Sequence, residues 1–283
     1  MSKGWADFPP VPEPLAVPVV DSHTHLDVTV EETGTTTVEA LLDQAVKVGV
    51  DRILQVGVDV PSSRWSADLA ARDDRVLATV ALHPNEAPRL SGLDGALLEI
   101  EAMAAEPRVR GVGETGLDTY RTGEDGRAAQ EASFRAHIAI AKRYAKALVI
   151  HDRDAHADVL RVLDSEGSPE TVILHCFSGD AEFAAECVRR GYLLSFAGTV
   201  TFANARNLRA AAALTPKEQM LVETDAPYLT PVPHRGRPNA SYLIPLTMRV
   251  LAETTGTDLD ELCAAISATG ERVLGPWRSP PVG

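Results

Sequence analysis

Short apolar runs alternate with segments of helical periodicity along most of the chain. The segment at 37–48, TVEALLDQAVKV, places apolar residues three and four positions apart, and Gly49 follows it as a helix-ending glycine. The intervening runs are rich in valine, leucine and isoleucine, which is typical of buried strands. We predict strands at 17–20, 53–58, 76–82, 109–112, 148–150, 172–174, 192–196 and 220–222.

Helices are predicted between these strands and after the last one. They cover 37–48, 62–71, 93–105, 127–144, 154–163, 181–190, 204–213, 241–253 and 259–273, and Ser62 or Ser63 is the expected cap of the second. Eight strands that alternate with helices predict a parallel sheet closed into a TIM (β/α)8 barrel. We therefore expect one α/β domain at 17–275, after a proline-rich lead-in at 1–16 and before a tail at 276–283.

Charge and cysteine content narrow the classes of function. The 283 residues carry a formal net charge of −13, which argues against a general polyanion binder but leaves room for a local basic strip. Cys176, Cys187 and Cys263 form no C-x-x-C pair, as is usual in a reducing compartment. The sequence has neither a signal-peptide core nor a membrane-spanning apolar run, so we expect a cytoplasmic protein without membrane contact. The sequence leaves the oligomeric state open, and a monomer is plausible.

Residue types that bind metals recur at the C-terminal ends of the predicted strands. His23 and His25 end the first strand, where alternate residues share a face and both imidazoles point the same way. The strands of a TIM barrel all end at one face, so such residues should converge there. The full set is His23, His25, His83, Glu114, His151, His175, Glu223 and Asp225.

Crowded carboxylates at one barrel mouth need compensation. Two carboxylates about 4 Å apart repel by roughly 4 kcal/mol at an effective dielectric constant near 20. Divalent cations would remove this repulsion between Glu114, Asp225 and Glu223, and neutral imidazoles would add good ligands. A cation in such a site acidifies bound water and polarises a phosphoryl or carbonyl oxygen. The sequence therefore predicts metal-assisted hydrolysis.

Seven segments, in this order, resemble motifs of the TatD-like metal-dependent hydrolases: DSHTHLD, LHPNEA, GVGETGLD, VIHDRDAH, ILHCFSG, ETDAPYLTP and RGRPNASYL. The resemblance implies an amidohydrolase-type TIM barrel and a deoxyribonuclease that uses two divalent cations, Mg²⁺, Mn²⁺ or Zn²⁺. It also implies that Glu114 bridges the two cations, since none of the five lysines ends a strand and could do so in carboxylated form. The remaining implied ligands are His23, His25 and Asp225 for one cation, and His151 and His175 for the other.

Further roles follow for residues beside these ligands. Asp225 and Glu223 are the candidate proton acceptors, although Glu223 could equally be a ligand or support one. His83 could bind a substrate phosphate or a metal-bound water, or be a hydrogen-bonded residue of the barrel mouth. Arg153, Arg235 and Arg237 could bind phosphates, or be solvated loop residues.

Three functions compete on this evidence. The favoured one is hydrolysis of DNA phosphodiesters, with DNA as the partner. The second is hydrolysis of another ester or an amide by the same kind of site, for example aminoacyl-tRNA deacylation. The third is a non-catalytic partner protein, against which the complete set of ligands argues. Nothing in the sequence separates the first two.

Overall fold

Strands and helices alternate along residues 7–277, the part of the chain described by this computed structural model. This is the order of a TIM (β/α)8 barrel, so the predicted fold class is confirmed. Part of the predicted lead-in, 1–6, and the predicted tail from 278 onward lie outside the described residues.

The strands are β1 Val19–Thr24, β2 Val50–Val56, β3 Val76–Val80, β4 Val109–Asp118, β5 Ala147–Arg153, β6 Val172–Leu174, β7 Leu193–Phe196 and β8 Met220–Val222. The α-helices are α1 Leu26–Thr33, α2 Val38–Lys47, α3 Val60–Arg72, α4 Leu93–Ala104, α5 Glu124–Arg143, α6 His156–Glu166, α7 Ala181–Arg189, α8 Arg206–Leu214, α9 Ile244–Thr255 and α10 Leu259–Leu274.

One compact unit consists of residues 7–55 and 179–272. Within it, β1 pairs in parallel with β2, and β7 pairs in parallel with β8. A parallel bridge between Thr24 and Ala226 joins the end of β1 to the loop that follows β8. Every residue of β1 is buried, which explains why its apolar run lacks the alternation of a half-exposed strand.

The other compact unit consists of residues 56–178 and 273–277. Its strands β3, β4, β5 and β6 pair in parallel in that order. Two glycines let β4 approach β5 closely: a Cβ on Gly113 would lie 2.4 Å from the Val149 carbonyl oxygen, and one on Gly116 would lie 2.1 Å from that of His151. Both also have positive φ, at 153° and 136°. These glycines therefore allow Glu114, which lies between them, to sit beside β5.

Several elements differ from the predictions, among them β1, which ends at Thr24, four residues beyond its predicted end. Helix α1 was not predicted, because it follows His25 directly, has no side-chain cap and buries only Leu26 and Thr29. Strand β4 extends six residues beyond the predicted end, where glycines and polar residues interrupt the apolar run. The predicted cap of α3 was wrong: Asp59 caps the helix, and Ser62 completes a capping box from the third helical position.

Residues 7–16 of the lead-in contain neither helix nor strand, yet they are tied to the first unit. The Leu15 amide donates to the Val48 carbonyl at 3.0 Å, and the Tyr242 hydroxyl donates to the Pro9 carbonyl at 2.6 Å. These bonds fix the chain just before β1. Within residues 7–277, no helix combines the length and apolar character that a membrane crossing requires.

Candidate metal centre

The first unit contains a cluster of His23, His25 and Asp225, called here the Asp225 group. Both imidazoles are buried, and their ring centroids lie 5.1 Å apart. Asp225 Oδ1 lies 3.4 Å from His25 Nε2 and 3.9 Å from His23 Nε2. Three potential ligands thus face one another across distances longer than those of good hydrogen bonds.

Backbone hydrogen bonds hold Asp225 beside β1. Its amide donates to the His23 carbonyl at 2.9 Å, and the His25 amide donates to the Ala226 carbonyl at 2.9 Å. Strand β8 ends at Val222, and Asp225 has a φ of 53°, in the left-handed region. Its direction therefore comes from the turn after β8, where the alternation of a strand no longer applies.

Asp21, for which we predicted no role, supports the Asp225 group through hydrogen bonds to Thr224. Its buried carboxylate accepts from the Thr224 hydroxyl at 2.6 Å and from the Thr224 amide at 3.0 Å. Burial raises the pKa of Asp21 to about 7, although these hydrogen bonds act in the opposite direction. The contact fastens the turn that carries Asp225 to strand β1.

The second unit contains Glu114, His83, His151 and His175, called here the Glu114 group. Glu114 is buried on β4, and its Oε1 faces three imidazoles. The distances from Oε1 are 2.6 Å to His151 Nδ1, 2.9 Å to His175 Nε2 and 3.4 Å to His83 Nε2. One carboxylate oxygen is thus the common neighbour of three ring nitrogens.

Charge and burial oppose each other at Glu114. Burial alone would raise the pKa of its carboxyl, but His175, His83 and His151 act in the opposite direction. The net result is a pKa well below the ordinary value. Glu114 is therefore ionised near neutral pH and forms a buried negative centre.

Asp118 forms a second layer behind His151, and the sequence assigned it no role. Its Oδ2 lies 3.3 Å from His151 Nε2 and accepts from Asn85 Nδ2 at 2.8 Å. Burial would raise the pKa of Asp118, but the hydrogen bond from His151 and others hold it below the ordinary value. A carboxylate at Nε2 favours a proton there, which leaves His151 Nδ1, beside Glu114, available as a ligand atom.

The backbone determines which nitrogen of His83 carries the proton. The Asn85 amide donates to His83 Nδ1 at 3.0 Å, so Nδ1 is an acceptor and the proton of the neutral ring lies on Nε2. Nε2 is the atom that faces Glu114. Neutral His83 is therefore a hydrogen-bond donor towards the Glu114 group, which a metal ligand at that nitrogen could not be.

Comparison with known proteins identifies the family. A model of the TatD related DNase family matches residues 20–275. A Mycobacterium tuberculosis protein named uncharacterized metal-dependent hydrolase TatD is 48% identical over 261 residues, which cover 91% of this chain and 98% of that protein. The chain belongs to the TatD family of metal-dependent hydrolases. The resemblance inferred from the seven motifs is thereby confirmed.

Two further TatD relatives extend the comparison. The protein named 3'-5' ssDNA/RNA exonuclease TatD from Citrobacter rodentium is 33% identical over 245 residues, 84% of this chain and 91% of that protein. The crystal structure of YJJV, a TatD homologue from Escherichia coli K12, matches with a TM-score of 0.83 at 27% identity. It covers 90% of this chain and 97% of that one. Fold and family therefore agree.

The donor atoms of both groups suit the metal ion on which a metal-dependent hydrolase of this family relies. Imidazole nitrogens and carboxylate oxygens suit zinc and manganese, and carboxylates also suit magnesium. In the Glu114 group, Glu114 Oε1 lies 2.6 Å from His151 Nδ1 and 2.9 Å from His175 Nε2, so three donor atoms are close together. A cation would also replace the contacts that ionised Glu114 now makes with imidazoles.

The other predicted residues lie at differing depths. Glu223 is fully buried just after β8, and its amide donates to the Phe196 carbonyl at 3.2 Å. Exposed Arg153 lies over the Tyr120 ring, 4.6 Å from its centroid.

Arg235 and Arg237 differ although they share one loop. Exposed Arg235 lies 4.0 Å from the centroid of the Phe202 ring. Arg237 instead donates to the Asp7 carbonyl at 2.8 Å and to the Phe8 carbonyl at 2.5 Å. Arg237 therefore holds the lead-in, and it could bind a phosphate only by giving up these contacts.

Proposed function

We propose that this TatD-family hydrolase is a divalent-metal-dependent nuclease that cleaves phosphodiester bonds of DNA. The observation that carries the proposal is the Glu114 group, in which an ionised, buried carboxylate faces three imidazoles. A buried, ionised carboxylate is stabilised by a bound cation, whereas a neutral carbonyl substrate would not compensate its charge. The name of the Citrobacter rodentium relative, a 3'-5' ssDNA/RNA exonuclease, gives further support.

Two divalent cations, Mg²⁺, Mn²⁺ or Zn²⁺, are proposed to serve the reaction. His23, His25 and Asp225 would hold one, and His151 and His175 the other. Glu114 would be a ligand of both. When bound, the cations would supply Lewis acidity, polarising the phosphoryl oxygen and acidifying the attacking water.

The chain's own side chains would move and hold protons. Asp225 is proposed to accept the proton of the attacking water, because its carboxylate retains 17% exposure where both His23 and His25 are almost fully covered. Glu223, which is fully buried, is the alternative acceptor or a support for the ligands. His83 would donate from Nε2 to a phosphate oxygen or to a water, which agrees with its tautomer.

Three arginines are proposed to bind phosphates of the substrate. Arg153 and Arg235 are exposed and lie on aromatic rings, which orients their guanidinium planes at little cost in freedom. Arg237 remains a proposed contact, but a weaker one, because its guanidinium already binds two carbonyls.

An assay of the purified protein against several substrates tests the proposal. Single-stranded DNA, duplex DNA, RNA and aminoacyl-tRNA would each be incubated with Mg²⁺, Mn²⁺ or Zn²⁺, with a chelator as control. Cleavage of DNA that the chelator abolishes is the expected result. Release of amino acids from aminoacyl-tRNA without DNA cleavage would instead establish the second function, and no turnover of any substrate would favour a non-catalytic role.

Glu114→Gln is the matched test of the site in this assay. It keeps the size of the side chain and removes the charge that attracts a cation. Glu99→Gln is the control, since Glu99 is exposed and forms an ion pair with Arg64 at the surface. Equal loss of activity in both variants would show that the effect does not belong to the Glu114 group.

A further inference from the structure

An aromatic side chain and a cation stand together beside the Glu114 group. Tyr120 follows β4, and the residue is 66% exposed. The Arg153 guanidinium lies over that ring, with its central carbon 4.6 Å from the centroid. An exposed ring next to a fixed cation is the combination that binds bases and phosphates of single strands.

Short links connect this pair to the proposed metal ligands. The Tyr120 amide donates to Asp118 Oδ1 at 3.0 Å, and Asp118 Oδ2 lies 3.3 Å from His151 Nε2. Tyr120 is thus two residues from the carboxylate that orients His151. The hydrogen bond therefore fixes the backbone of Tyr120 beside Asp118.

Arg153 is placed by strand β5, on which it is the last residue. Arg153 and His151 are two positions apart, so their side chains share one face of the strand, about 6.6 Å apart along it. The Thr119 amide donates to the Arg153 carbonyl at 3.0 Å and keeps the end of the strand in register with β4. The guanidinium therefore stands on the side of the sheet that carries His151.

The charge of Arg153 is available to a ligand. Among residues 7–277, no carboxylate forms an ion pair with its guanidinium. Other arginines of the same unit differ: Arg135 pairs with Glu131 and Glu166, and Arg161 pairs with Glu131. In a chain with a net charge of −13, an exposed arginine without such an ion pair can bind an anionic ligand.

We propose that Tyr120 and Arg153 form a nucleotide-binding subsite for single-stranded DNA next to the Glu114 group. The Tyr120 ring stacks on a base, and the Arg153 guanidinium binds a neighbouring phosphate through its planar donors. This inference rests on the proposed nuclease function and names a part of the substrate that the site holds. Stacking needs an unpaired base, so the subsite selects single strands over duplexes.

Binding measured without catalysis tests this subsite. The full chain, freed of metal by a chelator, would be titrated into a fluorescent oligo(dT) and into a matched abasic oligonucleotide that keeps the phosphates. Tyr120→Ala should weaken oligo(dT) binding about tenfold and change abasic binding by less than about twofold. Tyr120→Phe should restore the affinity for oligo(dT), because it keeps the ring and loses only the hydroxyl.

Arg153→Ala should weaken the binding of both oligonucleotides. It should also lower the slope of log affinity against log salt by about 0.7, the value for one phosphate contact on a single strand. Arg153→Lys should keep the slope, since the charge remains. Arg64→Ala, on the exposed surface of the same unit, is the matched control and should change neither quantity.

Each outcome has a defined meaning. Unchanged oligo(dT) binding by Tyr120→Ala, or equal losses on both oligonucleotides, would overturn the proposal, as would an unchanged salt slope in Arg153→Ala. Failure of the wild-type protein to bind either oligonucleotide would also overturn it. The nuclease function is judged separately by cleavage in the metal-supplemented assay, so either can fail while the other stands.

Discussion

The two ligand groups are built in different ways. In the Glu114 group, one carboxylate oxygen makes close contacts with imidazoles, the shortest 2.6 Å. In the Asp225 group, Asp225 Oδ1 lies 3.4 Å from His25 Nε2 and 3.9 Å from His23 Nε2. The Glu114 group is therefore held by charged hydrogen bonds between side chains, whereas backbone hydrogen bonds hold Asp225 in place.

The carboxyl groups that support the two ligand groups also differ in charge. Behind the Glu114 group, Asp118 is ionised and is held by Asn85 and by backbone amides. Behind the Asp225 group, Asp21 is a fully buried carboxyl whose pKa is raised to about 7. Charge-removing substitutions should therefore affect the Glu114 group more strongly, and the predictions below use this difference.

The largest effect is expected from Glu114→Gln. If Glu114 serves both cations, removing its charge should lower hydrolysis by about a thousandfold or more, roughly 4 kcal/mol of barrier. Turnover at saturating metal is the measurement, with Glu99→Gln as control. A loss below about tenfold would mean that the two groups act without Glu114.

Asp225→Asn should have the next largest effect. It removes a ligand and a proton acceptor and keeps the shape, so hydrolysis should fall by at least about a hundredfold. The thermal stability of the chelated protein should be unchanged or raised, because the amide of residue 225 still donates to the His23 carbonyl. Near-normal turnover would remove Asp225 from the mechanism, and a large loss of stability would mark it as structural.

Asp118→Asn should weaken metal binding by about 10- to 100-fold, as is typical when the partner of a ligating histidine is lost. The reason is that Nε2 of His151 loses the carboxylate that keeps its proton in place. Calorimetric titration with Mn²⁺ would measure the affinity. Asp21→Asn is the comparison from the other group, and it should have the smaller effect at pH 7 and below, where its carboxyl is at least half neutral. An equal loss of Mn²⁺ affinity in the two variants would refute the proposed difference between Asp118 and Asp21.

The smallest effects are expected from Arg235 and Arg237, which lie in the same loop. Arg237→Ala should lower the free energy of unfolding by about 1 kcal/mol, since two hydrogen bonds to the lead-in are lost at a partly exposed site. Arg235→Ala should leave stability unchanged and flatten the salt dependence of oligonucleotide binding. Urea unfolding measures the stability, and fluorescence titration measures the salt dependence of binding. A flatter salt dependence in Arg237→Ala, with no change in Arg235→Ala, would show that Arg237 is the phosphate contact.

Strand positions were largely predictable because apolar runs coincide with buried strands. The predicted ranges of β6 and β8, 172–174 and 220–222, agree with the structure at both ends. The length of β4 could not be predicted, since Gly113 to Gly116 allow close packing against β5 and leave no hydrophobic signal. Tertiary contact, here between strands, decided where the element ends.

The candidate ligands were predictable because each follows an apolar run, but their supports were not. Asp118 and Asn85 are ordinary polar residues of the sequence, and their role depends on a hydrogen-bond network between loops. Asp118 does end a strand, which was the signal available, and it stands in the motif GVGETGLD. The role of Arg237 was equally hidden, because it depends on carbonyls of the lead-in that are 230 residues away in sequence.

The number of cations bound per chain tests the central claim most directly. Metal-free protein would be titrated with Mn²⁺, and the bound ions would be counted for the wild type, for Asp225→Asn and for a His151→Asn/His175→Asn double variant. The account predicts two ions in the wild type and one tightly bound ion in each variant. Two tightly bound ions in the double variant, or a single ion in the wild type, would contradict it.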